Sequence, residues 1–283
     1  MQTGNIDSAV KATTEQKLNE IIISSLSDYF AAVKTISKVG GVTWFRGQSK
    51  RSYKLQPGLF RHPDIENSQT PHIRSKELES QLIERFRNQS LPFVGDKFSD
   101  QDDWGLLFFM QHYRIPTRLL DWSYSPLVAL YFAVSTVKIS SGHAAEPCTV
   151  WALHPETWNA AALAFQKAPS KIFGTKSTES QNYKTQAAYN LQEADAIAIE
   201  GIHNSPRIVA QQGAFTIFGP TTKPLECQFL SAAYPNEALS AISVKQDAIC
   251  NLKLELMAAG ILETTIFPDL EGLAIRLRRE LNF

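Results

Sequence analysis

The feature that most constrains this chain is a helix with hardly any polar side chains. Ser125 followed by Pro126 predicts a helix start, with the serine as N-cap and the proline in the first turn. The residues that follow, 127–137, are apolar on nearly every side of the predicted helix. Such a helix must be covered by protein all round. A chain of 283 residues with 43% hydrophobic positions is long enough to build that core without disulfides.

The order of the predicted elements indicates one α+β domain. Helical spacing of apolar residues predicts helices at 14–38, 73–88, 104–111, 127–137, 244–257 and 270–281. Shorter segments rich in β-branched and aromatic residues predict strands at 42–48, 118–122, 148–153, 196–200, 208–218 and 226–232. Residues 167–186 are rich in Lys, Ser, Thr and Gln, which predicts a mobile surface loop.

Composition and charge exclude several classes of protein. Lys and Arg together number 28, as do Asp and Glu, so no net charge holds the chain on nucleic acid or on an anionic membrane, although a local basic groove fits that balance. No run approaches the roughly eighteen apolar residues of a membrane helix, and the N-terminus lacks a secretion signal pattern, which predicts a cytoplasmic protein without a membrane partner. The six histidines and three cysteines have no metal-ligand spacing, so no metal is predicted.

Charged and polar side chains concentrate in three segments that otherwise look buried, 44–48, 110–123 and 207–215. Arg46 follows two aromatic residues in a predicted strand, where an unpaired guanidinium would cost several kcal/mol, so it needs an anion. That anion is either a carboxylate of this chain, with Asp121 and Glu84 as the competitors, or a phosphate of a ligand. Gly47 would let a ligand approach the backbone closely.

The same segments resemble the FRG-domain family, which is named for a Phe-Arg-Gly signature. The signature is present as Phe45-Arg46-Gly47. Further similar runs are Met-Gln-His-Tyr at 110–113, Pro-Thr-Arg-Leu-Leu-Asp-Trp-Ser at 116–123, Pro-Leu-Val-Ala-Leu-Tyr-Phe-Ala at 126–133, Gln-Gln-Gly-Ala-Phe at 211–215 and Ile-Phe-Pro-Asp-Leu at 266–270. The resemblance implies an FRG domain at 39–283, with a helical N-terminal segment, 1–38, packed on it.

The motif order is also similar, more weakly, to ADP-ribosyltransferases of the arginine, serine, glutamate type. That resemblance implies a small, mostly antiparallel central sheet wrapped by N-terminal and C-terminal helices, with NAD as substrate. Arg46 and Gly47 would match the strand that holds the phosphates of NAD, and Ser123 and Ser125 would match the serine strand. Where the class has its catalytic glutamate, this chain has Arg207. An arginine cannot stabilise the positive charge that develops on the ribose. Either the activity is lost, or an acid comes from elsewhere, or the similarity is one of fold alone.

Three carboxylates are candidates for the missing acid, Asp121 first and then Glu84 and Glu200. The predicted catalytic set is Arg46, Asp121 and Glu84, and the competing interpretation of Asp121 is an ion pair with Arg118 that orders the turn before the helix. The predicted ligand-binding set is Arg46, Gly47, Gln48, His112, Tyr113, Thr117, Arg118, Ser123, Ser125 and Gln212. In the competing interpretations His112 favours a helix C-terminus, Tyr113 packs, and Gln212 satisfies strand backbone.

These features lead to three hypotheses about function. The first is a cytoplasmic enzyme that transfers ADP-ribose from NAD to a protein or nucleic-acid acceptor, or hydrolyses NAD, as a bacterial toxin or phage-defence effector with an antitoxin or regulatory partner. The second is a module of the same fold that binds a nucleotide or a protein without turning it over. The third is an interaction protein in which the polar residues form a buried structural network.

Overall fold

The computed structural model describes residues 16–37, 41–95, 103–137, 139–140, 143–144, 146–191, 194–202, 205–231, 234–281 and 283. Within them the chain is α+β, with a seven-stranded, mostly antiparallel sheet and helices on its two faces, as the sequence predicted. None of the helices in these ranges is long and apolar enough to cross a membrane.

The strands are β1 (Asn19–Ile23), β2 (Trp44–Gln48), β3 (Leu119–Ser123), β4 (Ile139–Ser140), β5 (His143–Ala144), β6 (Cys148–Leu153), β7 (Ile197–Ile199), β8 (Gly213–Ile217) and β9 (Leu239–Val244). Their order in the main sheet is β1-β9-β6-β2-β3-β8-β7, while β4 and β5 pair separately. Only β1 and β9 run parallel among the described strands.

The longer helices are α1 (Leu26–Ser37), α3 (Pro71–Val94), α4 (Asp103–His112), α5 (Pro126–Ser135), α6 (Pro155–Ala162), α11 (Ile249–Ala258) and α13 (Leu270–Glu280). The shorter ones are α2 (Pro63–Glu66), α7 (Thr178–Gln181), α8 (Thr185–Ala188), α9 (Pro206–Ala210), α10 (Leu225–Ser231) and α12 (Glu263–Ile266). Side chains alternate along β2 and β6, so Phe45 and Val150 face a core with α1, α5 and α11. Trp44 and Trp151 face the opposite core, with α4, α6 and α10.

Helix α5 begins and packs as its sequence predicts. The Ser125 side chain accepts a hydrogen bond from the Val128 amide, and Pro126 follows in the first turn. Five of its ten residues are buried, and it lies directly against β2. The position of β2, and of the arginine it carries, is therefore fixed by this helix.

Three predicted elements were wrong in type. Residues 14–38 form β1 and α1 rather than one helix, because the isoleucines at 21–23 extend the sheet beside β9. Residues 208–218 begin as α9, since Ser205 caps a helix at the Ile208 amide, and become strand only at Gly213. The segment 226–232 lies largely in helix α10 rather than in a strand. The part of the predicted first helix before residue 16 lies outside the described residues.

The segment 167–186, predicted to be a mobile loop, is packed against the core. Phe173, Ser180 and Tyr183 are buried. Its polar residues bind the chain itself: Ser177 caps α7 at the Ser180 amide, and Thr185 donates to Asp103. Polar composition did not indicate this packing, because these hydroxyls satisfy local backbone and carboxylate groups instead of solvent.

Candidate functional site

A cavity opens where β2 and β3 separate. β2 pairs with β6 over five residues but with β3 at the pair Phe45 and Ser123 alone. The cavity has a volume of about 460 Å³, which lies in the range typical of small-molecule sites. Seven aromatic residues line it: Phe45, Tyr53, Phe108, Trp122, Phe132, Phe215 and Phe267. Strands, helices and the segment before α13 therefore meet at one concave surface.

Arg46 lies in this cavity with most of its hydrogen-bonding capacity unused. Its Nη1 donates to the backbone carbonyl of Asp121 at 2.6 Å, while its Nε is buried without a partner. Among the described residues it forms no ion pair. Burial lowers the pKa of Arg46 to about 10, although the charge of Asp121 acts in the opposite direction. The structural ion pair considered for Arg46 is therefore absent from the described part of the chain, and the guanidinium is left to meet another anion.

Asp121 is held by a short chain of hydrogen bonds from α4 and the segment after it. Gln111 Nε2 donates to Asp121 Oδ2 at 2.8 Å, and the Thr117 hydroxyl donates to Gln111 Oε1 at 2.7 Å. The Leu119 amide donates to the same hydroxyl oxygen at 3.0 Å, which fixes the direction of the chain. The Asp121 side chain is open to the cavity but surrounded by protein on its other sides, and this burial raises its pKa, against the effects of Arg46 and Gln111.

Arg207 occupies the far wall of the cavity and is tied to the start of α13. Its Nη2 donates to Asp269 and to Glu271 at 2.8 Å each, and its guanidinium lies 4.8 Å from the centre of the Phe267 ring. Its Nε is buried without a partner. Arg207 is thus a cation on α9 whose carboxylate partners lie on another element, at the start of α13.

Two further arginines line the cavity, so four cationic side chains face it, of which Arg114 and Arg207 are paired with carboxylates outside the lining. Arg61 and Arg114 line it together with Arg46 and Arg207, against one lining carboxylate among the described residues, Asp121. Arg114 also binds Glu271, at 2.5 Å. The cavity therefore favours an anionic ligand.

The imidazole of His112 also lines the cavity. Its Nδ1 lies 3.3 Å from the Ser205 hydroxyl. Burial and the charge of Arg207 lower the pKa of His112, which favours the neutral imidazole.

Three of the predicted ligand-binding residues line the cavity, but each already makes close contacts or hydrogen bonds within the protein. A Cβ on Gly47 would lie 1.9 Å from the Ala129 carbonyl oxygen, so the close approach there is made by α5. Gln48 accepts from Trp151 Nε1 at 2.8 Å and donates to the Lys54 carbonyl. The Ser123 hydroxyl donates to the Gln211 carbonyl at 2.6 Å and accepts from the Ser125 amide.

Arg118 is not a cavity residue. It is fully buried, with its Nε 2.8 Å from Glu79 Oε1, and it also donates to the carbonyls of Phe218 and Tyr183. Burial lowers the pKa of Arg118, but the charge and hydrogen bond of Glu79, together with Tyr189 and Tyr183, raise it, and the net shift is upward. The proposed pair between Asp121 and Arg118 was therefore wrong, because residues three apart in an extended segment point to opposite faces.

The other predicted site residues lie away from the cavity. Thr117 acts behind Gln111, as described above, and Ser125 is the N-cap of α5. Four side chains are exposed elsewhere on the surface: Glu84 on α3, Tyr113 after α4, Glu200 after β7, and Gln212, which has a positive φ of 47°. Gln212 contributes its carbonyl to the Tyr124 amide, in line with the structural interpretation.

Sequence reasoning missed Gln111, the residue that contacts the Asp121 carboxylate. It lies near the end of α4, whose residues from Trp104 to Met110 are all buried. A glutamine that follows a wholly apolar run on a buried helix needs a polar partner inside the protein, and that signal was present in the sequence. Arg61 and Phe267 were missed because their place in the cavity depends on the fold.

Residues 42–141 match the family model described as FRG domain. No curated protein and no solved structure matches the chain. The matched segment contributes Arg46, Gln111 and Asp121 to the cavity. Arg207 and Phe267 come from outside it, so the cavity combines the FRG segment with later parts of the chain.

Proposed function

We propose that this chain, which carries an FRG domain at residues 42–141, binds NAD or a related dinucleotide in the cavity and breaks the bond between its nicotinamide and ribose. One observation carries the proposal: Arg46 is half-buried, its Nε is buried without a partner, and it forms no ion pair among the described residues. A diphosphate supplies the anion that such a group needs, and arginine binds phosphate oxygens in a two-pronged geometry.

The shape and lining of the cavity support a ligand that has flat rings as well as phosphates. Tyr53, Phe132 and Phe267 offer ring surfaces beside the arginines. Aromatic side chains stack on heterocyclic bases, and guanidinium groups bind the phosphates between them. A dinucleotide has both features, whereas a simple inorganic anion would leave the aromatic lining unused.

Asp121 is the residue proposed to support bond cleavage. When the bond from C1′ of the ribose to nicotinamide breaks, the electron pair leaves with nicotinamide and positive charge develops on the ribose. A carboxylate fixed nearby stabilises that charge, provided it is ionised. Water or an acceptor group on a macromolecule then adds to C1′ and releases a proton. Gln111 would hold Asp121 by one oxygen and so position the carboxylate.

The biological role that fits this activity is a cytoplasmic toxin or phage-defence effector. Loss of NAD, or transfer of its ADP-ribose to a macromolecule, would harm the cell, so an antitoxin or another regulatory partner would be needed. This part of the proposal rests on the family resemblance and on the activity, and it fails if no turnover of NAD is found.

A binding module without turnover is the second candidate. Two observations favour it. Arg207 stands where the related class has its acid. Burial raises the pKa of Asp121, the substitute acid. A carboxyl that is neutral near physiological pH would not stabilise a cation. Ligand binding through the arginines would then persist without any product.

Calorimetric titration with NAD and with ADP-ribose tests the binding step. We expect wild-type protein to bind both, and Arg46→Ala to weaken binding about 10- to 100-fold, because a charge-assisted hydrogen bond contributes about 1.5–3 kcal/mol. Arg74→Ala removes an exposed arginine of α3 and should leave affinity unchanged. Thermal unfolding of Arg46→Ala completes the test, since a large loss of stability with unchanged ligand binding would make Arg46 part of a structural network instead.

Release of free nicotinamide tests the role of Asp121. We expect Asp121→Asn to keep affinity for NAD and to lose nicotinamide release by about 10²- to 10³-fold, the usual effect of removing one group that stabilises transition-state charge. In the wild type the rate should rise with pH through the raised pKa of Asp121, because only the ionised form is active. Binding by the wild type with no nicotinamide released at any pH would identify the non-catalytic module.

A further inference from the structure

The C-terminal helix α13 turns a row of apolar side chains toward solvent. Leu270 is 82% exposed, Leu277 is 47% exposed and Leu281, at the end of the helix, is 65% exposed. Together with Ala274 they follow one another at steps of four, three and four residues, which places them on one side of the helix. We name these four residues the α13 leucine row.

The opposite side of α13 rests on the body of the protein. Gly272 is buried, and a Cβ there would lie 2.0 Å from the Phe267 carbonyl oxygen. Arg279 binds Glu263 of α12 at 2.7 Å. The helix is thus fixed in place by one face while the leucine row points away from the molecule. The row has the spacing of the apolar positions along which one helix of a coiled coil packs on another. In a single chain these side chains are exposed to solvent.

We propose that the α13 leucine row is the interface of a homodimer, in which α13 packs antiparallel against α13 of a second copy. In that arrangement Leu270 faces Leu281 of the other copy, and Ala274 faces Leu277. Ala274 is small enough to let the two helices approach closely. The spacing of the row is that of the core positions of a coiled coil, which is self-complementary by nature.

The charges beside the row favour two antiparallel copies. Glu271 and Arg278 flank it on the same side, seven residues apart. In an antiparallel pair each Glu271 lies opposite Arg278 of the other copy, so symmetry produces two attractive pairs. In a parallel pair, Glu271 of one copy and Arg278 of the other would lie about 10 Å apart along the helix axis. Glu271 keeps 46% of its side chain exposed while it binds Arg114 and Arg207, and Arg278 has no ion pair among the described residues.

The charges beside the α13 leucine row also argue against its binding to a membrane surface. A helix that lies on an anionic membrane needs basic residues beside its apolar face. Here Arg276 is paired with Glu280 at 2.7 Å, and Arg279 with Glu263. Arg278 is then the one arginine of α13 without an ion pair in the described chain. The same helix carries two acidic residues near the row, Glu271 and Glu280.

Sedimentation velocity over a wide range of concentration tests the proposal with the full chain. We expect wild-type protein to change from a species of 31.6 kDa to one of twice that mass as concentration rises. Leu277→Glu should raise the dimer dissociation constant at least about a hundredfold, because it buries a charge at the centre of the interface. Arg278→Glu should raise it about tenfold, since Glu271 then faces a like charge.

A matched control and two adverse outcomes complete the experiment. Leu254→Glu changes a leucine of α11 that is 63% exposed, and it should leave the dimer unaltered. A wild type that stays monomeric, or a dimer that survives Leu277→Glu, overturns the proposal. Co-sedimentation with vesicles of phosphatidylglycerol and phosphatidylcholine that is lost in Leu277→Glu also overturns it, and identifies the row as a membrane contact. None of these results depends on NAD.

Discussion

Replacing Arg118 by methionine is expected to destabilise the protein by about 3–5 kcal/mol, the usual result of removing one partner from a buried ion pair. The change leaves Glu79, which is 3% exposed, without its partner at 2.8 Å. It also removes the donor from the buried carbonyls of Phe218 and Tyr183. Urea unfolding measures the loss through the midpoint and the extrapolated free energy of unfolding.

The cause can be tested by removing the second charge as well. Arg118→Met combined with Glu79→Leu eliminates the buried carboxylate, so most of the lost stability should return, except for the part due to the two carbonyls. Arg74→Met breaks exposed pairs with Asp64 and Glu77 and should change stability by less than about 0.5 kcal/mol. A double variant as unstable as the single one would show that packing, not charge, is what Arg118 provides.

The pH dependence of the single variant gives a further check. Burial raises the pKa of Glu79 even beside Arg118, which acts to lower it. Removing the guanidinium raises that pKa further, so the folded state of Arg118→Met takes up a proton more readily than either its unfolded state or the folded wild type. The stability of this variant relative to wild type is therefore greatest below the ordinary pKa of glutamate, and it is lost as pH rises through the raised value. If the difference in unfolding free energy between Arg118→Met and wild type does not change with pH, then Glu79 is not the group that Arg118 stabilises.

The sequence allowed prediction of elements whose signals are local. Helix α5 could be placed because its cap, its first-turn proline and its apolar run are adjacent in the chain. β1 could not be identified, since what makes residues 19–23 a strand is pairing with β9, more than two hundred residues away. α9 was missed for a simpler reason, because the cap at Ser205 precedes a β-branched pair at Ile208 and Val209 that favours a strand.

The candidate site was predictable where chemistry alone identifies a residue. Arg46 and Asp121 were selected because a charge among aromatic residues needs a partner, and both line the cavity. Glu84 was selected on weaker grounds and is exposed, while Glu79, five positions earlier on the same helix, is buried beside Arg118. Leu78, Leu82 and Ile83 mark the inner face of α3, and helical spacing places Glu79 within that face and Glu84 outside it. The signal was therefore present in the sequence and was overlooked.

Gly47→Ala is expected to destabilise the protein by about 3 kcal/mol or more, or to prevent folding, as overpacking at a rigid contact does. The new methyl group would lie 1.9 Å from the Ala129 carbonyl oxygen and 2.5 Å from the Ala133 amide nitrogen. Both are backbone atoms of α5, so no side chain can rotate away and the helix must move off β2. Gly58→Ala is the matched control, because its φ of −56° suits alanine and its nearest neighbour would lie 3.6 Å away.

The two interpretations of this glycine give opposite results in urea unfolding and NAD titration. If Gly47 serves the contact between β2 and α5, Gly47→Ala loses stability, and any folded fraction binds NAD weakly because Arg46 next to it is displaced. If Gly47 serves the approach of a ligand, the variant unfolds at the same urea concentration as wild type and loses affinity alone. The backbone contact at 1.9 Å makes the first result the expected one, and it assigns the glycine of the Phe-Arg-Gly signature to the contact between β2 and α5.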